Sequence, residues 1–180
     1  MSELTTDFYE RLSKAIGDVC IYWSHIEDHV HGLILHLAMY QDDAFEKKPV
    51  YQILHGVVCQ LDLRQKISAA KVLAHNVTQP TDFYERAESL LNYVDNELRP
   101  ERNRYVHDLW EYQDGRIVRN SMNPRVIKPQ SRMREVRLIS EKEFASVDEI
   151  TAFAEKLFDA RDRLSLLDGE LAGLIPEGRT

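Results

Sequence analysis

Residues 12–37, LSKAIGDVCIYWSHIEDHVHGLILHL, decide the fold class. Within them Leu12, Ile16, Val19, Trp23, Ile26, Val30, Leu33 and Leu37 recur at alternating spacings of four and three, which lines them along one stripe of a long helix. Helical stripes continue outward from there. Beyond the polar residues Asp42-Asp43 and Lys47-Lys48, Pro49 suits a first helical turn, and Leu54, Val57, Val58 and Leu61 follow it. Asp62 and Gln65 form a capping-box pair that restarts a helix through Ile67, Ala70, Leu73 and Ala74 to about Asn76. After Pro80, Asp82 and Glu85 repeat the signature, and Phe83, Ala87, Leu90, Val94 and Leu98 run to Pro100. Pro100 to Trp110 reads as a separate helix or a sharply kinked continuation. Ser146 or Asp148 opens the last helix, whose stripe of Val147, Ile150, Phe153, Leu157, Leu164, Leu167, Leu171 and Leu174 is interrupted by Arg161 and ends at Pro176.

The exception to the helical pattern lies between residues 111 and 140. Asp114-Gly115 separates Leu109–Tyr112 from Arg116–Val118, a hairpin signal, and Val136–Ile139 can add a strand. Asn120 to Arg134 carries Pro124, Pro129 and several basic residues, so it is expected to be a loop. The expectation is a mainly α protein, an antiparallel bundle of four to six helices forming one domain over residues 1–180, with a small basic β-hairpin insertion at 111–140 between the motif helix and the last helix.

The 180 residues suffice for one core. The opening residues lack the pattern of a signal peptide and no apolar run reaches membrane-spanning length, so a cytoplasmic protein without membrane association is expected. Cys20 and Cys59 sit in apolar helical patterns and are expected to be buried, with neither a disulfide framework nor a cysteine-based zinc site. The net charge of -7 argues against coating nucleic acid by overall charge. The distribution is uneven, however. Residues 99–137 hold ten Lys or Arg against five acids, leaving that span at +5 and the remainder at -12. A basic middle on an acidic body suits a local anionic ligand, or is simply a solvated basic loop.

That middle contains Arg102-Asn103-Arg104-Tyr105-Val106-His107. On a helix, Asn103 and His107 share a face and Arg102 lies beside them around the turn. Arginine supplies a permanent forked charge for phosphate, asparagine can orient a hydroxyl or water, and histidine moves protons near neutral pH. These are the parts of RNA cleavage through the ribose 2'-hydroxyl without a metal or other cofactor. On spacing alone, an Arg102 paired with a surface acid and a packed His107 explain the pattern as well.

The constellation resembles the HEPN superfamily, whose catalytic members carry R-x4-6-H with a polar residue after the arginine, as in Arg102-Asn103 and His107. Trp23-Ser24-His25-Ile26-Glu27 and Arg64-Gln65-Lys66-Ile67 look like the segments preceding that element in small bacterial HEPN-like proteins, so the resemblance spans roughly residues 5–112. It implies a homodimeric helical bundle in which two motifs meet to form a metal-independent endoribonuclease, with Arg102 and His107 catalytic and Asn103 assisting. It also implies a role as a toxin or in phage defence, with an antitoxin or regulatory protein as a further partner. Arg104, Arg116 and Arg119 would hold the RNA backbone. Where toxins modified by a nucleotidyltransferase antitoxin carry a tyrosine two residues after the histidine, this chain has Leu109.

Glu27 falls beside the apolar stripe and is either exposed or paired, and the resemblance makes Arg102 its partner. His25, His29 and His36 share a helix face that suits an interface or solvated surface better than a metal. Trp23 reads as core. Trp110 either anchors the hairpin or floors the site, and Tyr105 and Tyr112 carry the same ambiguity. Two other functions fit the same residues: a non-catalytic HEPN-like module for dimerisation and nucleic-acid or partner binding, and a regulatory protein binding a small anionic ligand between helices.

Overall fold

A computed structural model describes residues 3–41, 48–76, 81–107, 109–113, 116–127 and 135–174. Helix α1 spans Glu3–Gln41, α2 Lys48–Cys59, α3 Leu63–Asn76, α4 Thr81–Tyr93, α5 Arg99–His107 and α6 Val147–Leu174. The polar link at 42–47 and the Asp114-Gly115 turn lie outside the described residues. The protein is mainly α, a helical bundle with a small antiparallel sheet inserted between α5 and α6. No helix among the described residues is long and apolar enough to cross a membrane.

The stripe on α1 forms the axis of the core: Leu12, Val19, Trp23, Ile26, Val30, Leu33 and Leu37 are all buried. Each large aliphatic side chain so enclosed contributes about 1.5–3 kcal/mol relative to exposure. Helix α6 supplies the longest facing surface, and Ile150, Phe153, Leu157, Leu164 and Leu171 complete the contact. Arg11 reaches Asp148, Tyr22 meets Phe158 and His36 bonds Asp168, so α1 and α6 rise side by side in the same direction. Contacts of Arg86 with Glu170 and of Glu101 with Lys156 show that α4 and α5 descend against α6. Likewise Lys71 bonds Asn92 while His75 packs on Tyr84, which places α3 antiparallel to α4.

Asp62 and Gln65 form the reciprocal hydrogen bonds of a capping box, and so do Ser146, one of the two expected starts of the last helix, and Glu149. Gln65 N donates to Asp62 Oδ1 at 2.8 Å and Asp62 N to Gln65 Oε1 at 2.9 Å; before α6, Glu149 N donates to Ser146 Oγ at 3.1 Å and Ser146 N to Glu149 Oε2 at 3.0 Å. Pro100 does not end its helix. A π-helical turn over Val94–Leu98 precedes it, and the wider turn absorbs the missing donor and the ring that would clash in a regular helix, so α4 passes through to α5.

The insertion is larger than a hairpin. Strands β1 (Leu109–Gln113), β2 (Arg116–Ile127) and β3 (Glu135–Ala145) form an antiparallel sheet in that order. Strand β2 continues to Ile127, through much of the span expected to be a loop, with Pro124 opposite Leu138. Strand β1 pairs only as far as Asn120, so Pro124 faces a partner on one side alone, where a strand tolerates a proline. Cys20 and Cys59 are both exposed, contrary to expectation: Cys20 follows the buried Val19 and is rotated about 100° off the stripe.

Candidate functional site

Arg102, Asn103 and His107 converge at the end of α5. Arg102 Nη1 donates to Asn103 Oδ1 at 3.2 Å and lies 3.3 Å from His107 Nε2, so one guanidinium nitrogen links the other two side chains. Arginine has no lone pair to offer. In this contact the imidazole must therefore accept, with its proton on Nδ1. His107 is exposed, while Arg102 and Asn103 are half-buried.

Trp23 provides the ledge behind the arginine. The Arg102 guanidinium carbon lies 5.6 Å from the centre of the indole, and the indole Nε1 donates to Glu27 Oε1 at 2.8 Å. Among the described residues Glu27 thus connects to Arg102 through Trp23 and not by a direct ion pair. Arg102 Nε is buried without a hydrogen-bond partner among the described residues. With Trp23 against its face, the guanidinium is held with its Nη1 turned toward Asn103 and His107.

Tyr105, one residue past Arg104, points into the bundle and joins the motif helix to the sheet. Its ring is buried, packs on Phe153 and lies nearly parallel to Trp110, with an angle of 13° between the planes. Trp110 Nε1 donates to the Tyr105 carbonyl at 3.0 Å, filling one of the open acceptors at the end of α5. Trp110 is therefore the anchor of the sheet. Burial pushes the Tyr105 phenol above its ordinary value, and Glu101, to which the hydroxyl donates, adds to the shift.

The three candidate RNA-binding arginines separate. Arg104 is exposed on the motif helix. Arg119 is only 5% exposed, with its guanidinium 5.9 Å from the Tyr105 ring centre, so it belongs to the packing between sheet and helix and does not face an RNA backbone. Arg116 begins β2, and its side chain lies outside the described residues, as does that of Tyr112.

The α1 histidines do not act as one face. His25 is exposed, His29 is half-buried, and His36 Nδ1 lies 2.6 Å from Asp168 Oδ1 across the α1–α6 seam. Gly32 makes room there, since a β-carbon at that position would come within 3.1 Å of Asp168 Oδ2. A groove of about 420 Å³ between α4 and α6, lined by residues including Asp82, Arg86, Ser89 and Arg163, contains none of the motif residues.

Comparisons with protein-family models, curated proteins and solved structures find no match for this chain. The site's chemistry must therefore be read from its own geometry. Trp23 is buried as its place on the core stripe implies, and what the sequence reading missed is its contact with Arg102. Only the position of Trp23 in the Trp23–Glu27 segment hinted at contact with the motif.

Proposed function

We propose that the protein is a metal-independent endoribonuclease of the HEPN type, working as a homodimer in which two copies of the motif face one RNA strand. The single observation that carries this reading is the convergence of Arg102, Asn103 and His107, with one arginine nitrogen within 3.3 Å of both partners. A permanent cation beside a neutral imidazole and an amide is a working set for transesterification at phosphorus.

The scissile phosphate would draw the Arg102 guanidinium away from His107, exchanging a neutral acceptor for a charged one. That exchange frees the Nε2 lone pair. His107 then removes the ribose 2'-proton, Asn103 orients the hydroxyl, and the oxygen attacks phosphorus. Charge building on the phosphoryl oxygens is met by Arg102. The bond to the 5'-oxygen breaks as the second copy's histidine, released from its own arginine and protonated from solvent before the step, delivers that proton to the leaving oxygen. The products are a 2',3'-cyclic phosphate and a 5'-hydroxyl. Arg104, exposed on the same helix, is suited to the flanking backbone. The biological setting that fits is a cytoplasmic toxin or phage-defence effector restrained by an antitoxin or regulatory partner.

The test is incubation of pure protein with cellular RNA in the presence of EDTA, comparing wild type with Arg102→Ala and His107→Ala, each checked for folding by circular dichroism. Cleavage by wild type alone supports the assignment. Equal cleavage by the folded variants would sink it.

A further inference from the structure

Eight residues beyond Trp23 on α1, about 12 Å at the helical rise, a second cluster forms between helices. His31 of α1 faces His55 and Cys59 of α2, and the nitrogen and sulfur donors of the three all lie within 4.8 Å of one another. His55 and Cys59 stand four residues apart on one face of α2, with Cys59 Sγ 3.6 Å from His55 Nδ1. Around a tetrahedral zinc ion, bond lengths of about 2.0–2.1 Å to nitrogen and 2.3 Å to sulfur place such donors about 3.4–3.6 Å apart. The α2 pair already has that separation, and His31 closes on it by a side-chain movement of about 1 Å.

An independent observation singles out His31. Its Nε2 is buried and has no hydrogen-bond partner among the described residues, a costly state for a ring nitrogen unless something occupies that position. The rings of His31 and His55 pack with centres 4.8 Å apart.

We propose that His31, His55 and Cys59 bind a zinc-class divalent ion that staples α2 to α1, leaving a fourth position for solvent. The staple has a mechanical reason. Tyr51, Ile53 and Val57 of α2 are exposed and Val58 is the helix's one fully buried side chain among the described residues, so apolar packing alone holds α2 weakly. Imidazole and thiolate together select a borderline or soft ion over magnesium or calcium. Because the ion sits away from Arg102 and His107, it plays no part in the proposed RNA cleavage, and either reading can fail without the other.

Cobalt(II) added to the metal-stripped full-length protein is the probe. One equivalent per chain should give the visible bands of a tetrahedral ion and a thiolate-to-cobalt charge-transfer band. His31→Gln and His55→Gln should weaken binding by more than about tenfold, the loss already caused by removing a mere supporting group, and Cys59→Ser should abolish the charge-transfer band. Should the variants fail to fold, wild type still decides the matter: zinc should slow alkylation of Cys59 while leaving the exposed Cys20 unaffected. A cobalt spectrum without the thiolate band, binding unchanged in folded variants, or equal alkylation of Cys59 with and without zinc would overturn the proposal.

Discussion

Replacing Trp23 by phenylalanine tests whether the indole holds the arginine of the motif. The change keeps an aromatic face but removes the Nε1 donor that bonds Glu27 at 2.8 Å. A hydrogen bond to a charged group is worth about 1.5–3 kcal/mol, and the lower end applies because Glu27 is half-buried and water can replace part of the bond. The Arg102 guanidinium lies 5.6 Å from the ring centre, near the outer limit for attraction to a ring face, so weakening that contact costs about 0.5 kcal/mol. The smaller ring leaves space in a core where Trp23 is only 4% exposed, adding about 1 kcal/mol. The variant should therefore lose about 3 kcal/mol in urea unfolding, a large part of a typical domain's stability. A double-mutant cycle with Glu27→Ala, which removes the acceptor, isolates the hydrogen bond and should give a coupling of about 1–2 kcal/mol. A coupling below about 0.5 kcal/mol, the additivity expected of independent sites, would refute the linkage of Glu27 to Arg102 through the indole.

Arg119→Ala should destabilise the fold by about 1–3 kcal/mol, because it strips a packed side chain from the Tyr105 ring, whereas Arg104→Ala, at an exposed position, should cost less in the same unfolding assay. In RNA binding the order reverses, with Arg104→Ala lowering the salt dependence by about one unit of slope. Ser146→Ala should cost about 1 kcal/mol through loss of the α6 cap, measured by chemical denaturation. The Tyr105 phenol is raised above its ordinary 10.0 in the folded protein, so its contribution is complete below pH 10 and is lost as pH rises through the folded value. Tyr105→Phe should flatten that alkaline loss in stability measured against pH, though not remove it, since burial also raises the phenols of Tyr84 and Tyr93.

The helices were legible because their information is local. The spacing in Leu12–Leu37 and the Asp62-Gln65 pair each specify a structure within a few residues of themselves, and both are realised; of the two starts open for the last helix, Ser146 is the one that caps it. Pro100 was legible as a disturbance but not as a π-helical turn, because the remedy is built upstream at Val94–Leu98 from residues with ordinary helical character. The strand through Pro124 depends on which neighbour β2 lacks, a property of the sheet that its own sequence does not carry.

At the site, the Arg102–Asn103–His107 grouping follows from spacing on one helix. The supporting contacts of Trp23 and the burial of Arg119 arise from elements far apart in the chain. The same holds for His31, His55 and Cys59, where the pair on α2 is visible as a spacing of four but its partner on α1 emerges only once the two helices pack. Arg119 was misplaced for a related reason: a basic residue in a basic stretch reads as solvent-facing, and the Tyr105 ring that covers it sits on another element.

The chemistry at the end groups of the cut RNA tests the central claim most directly. Wild-type protein and cellular RNA in EDTA should yield fragments ending in 2',3'-cyclic phosphate and beginning with 5'-hydroxyl, the signature of attack by the neighbouring 2'-oxygen, and His107→Ala should yield none. Intact RNA across a varied pool, or fragments carrying 3'-hydroxyl ends, would contradict the account.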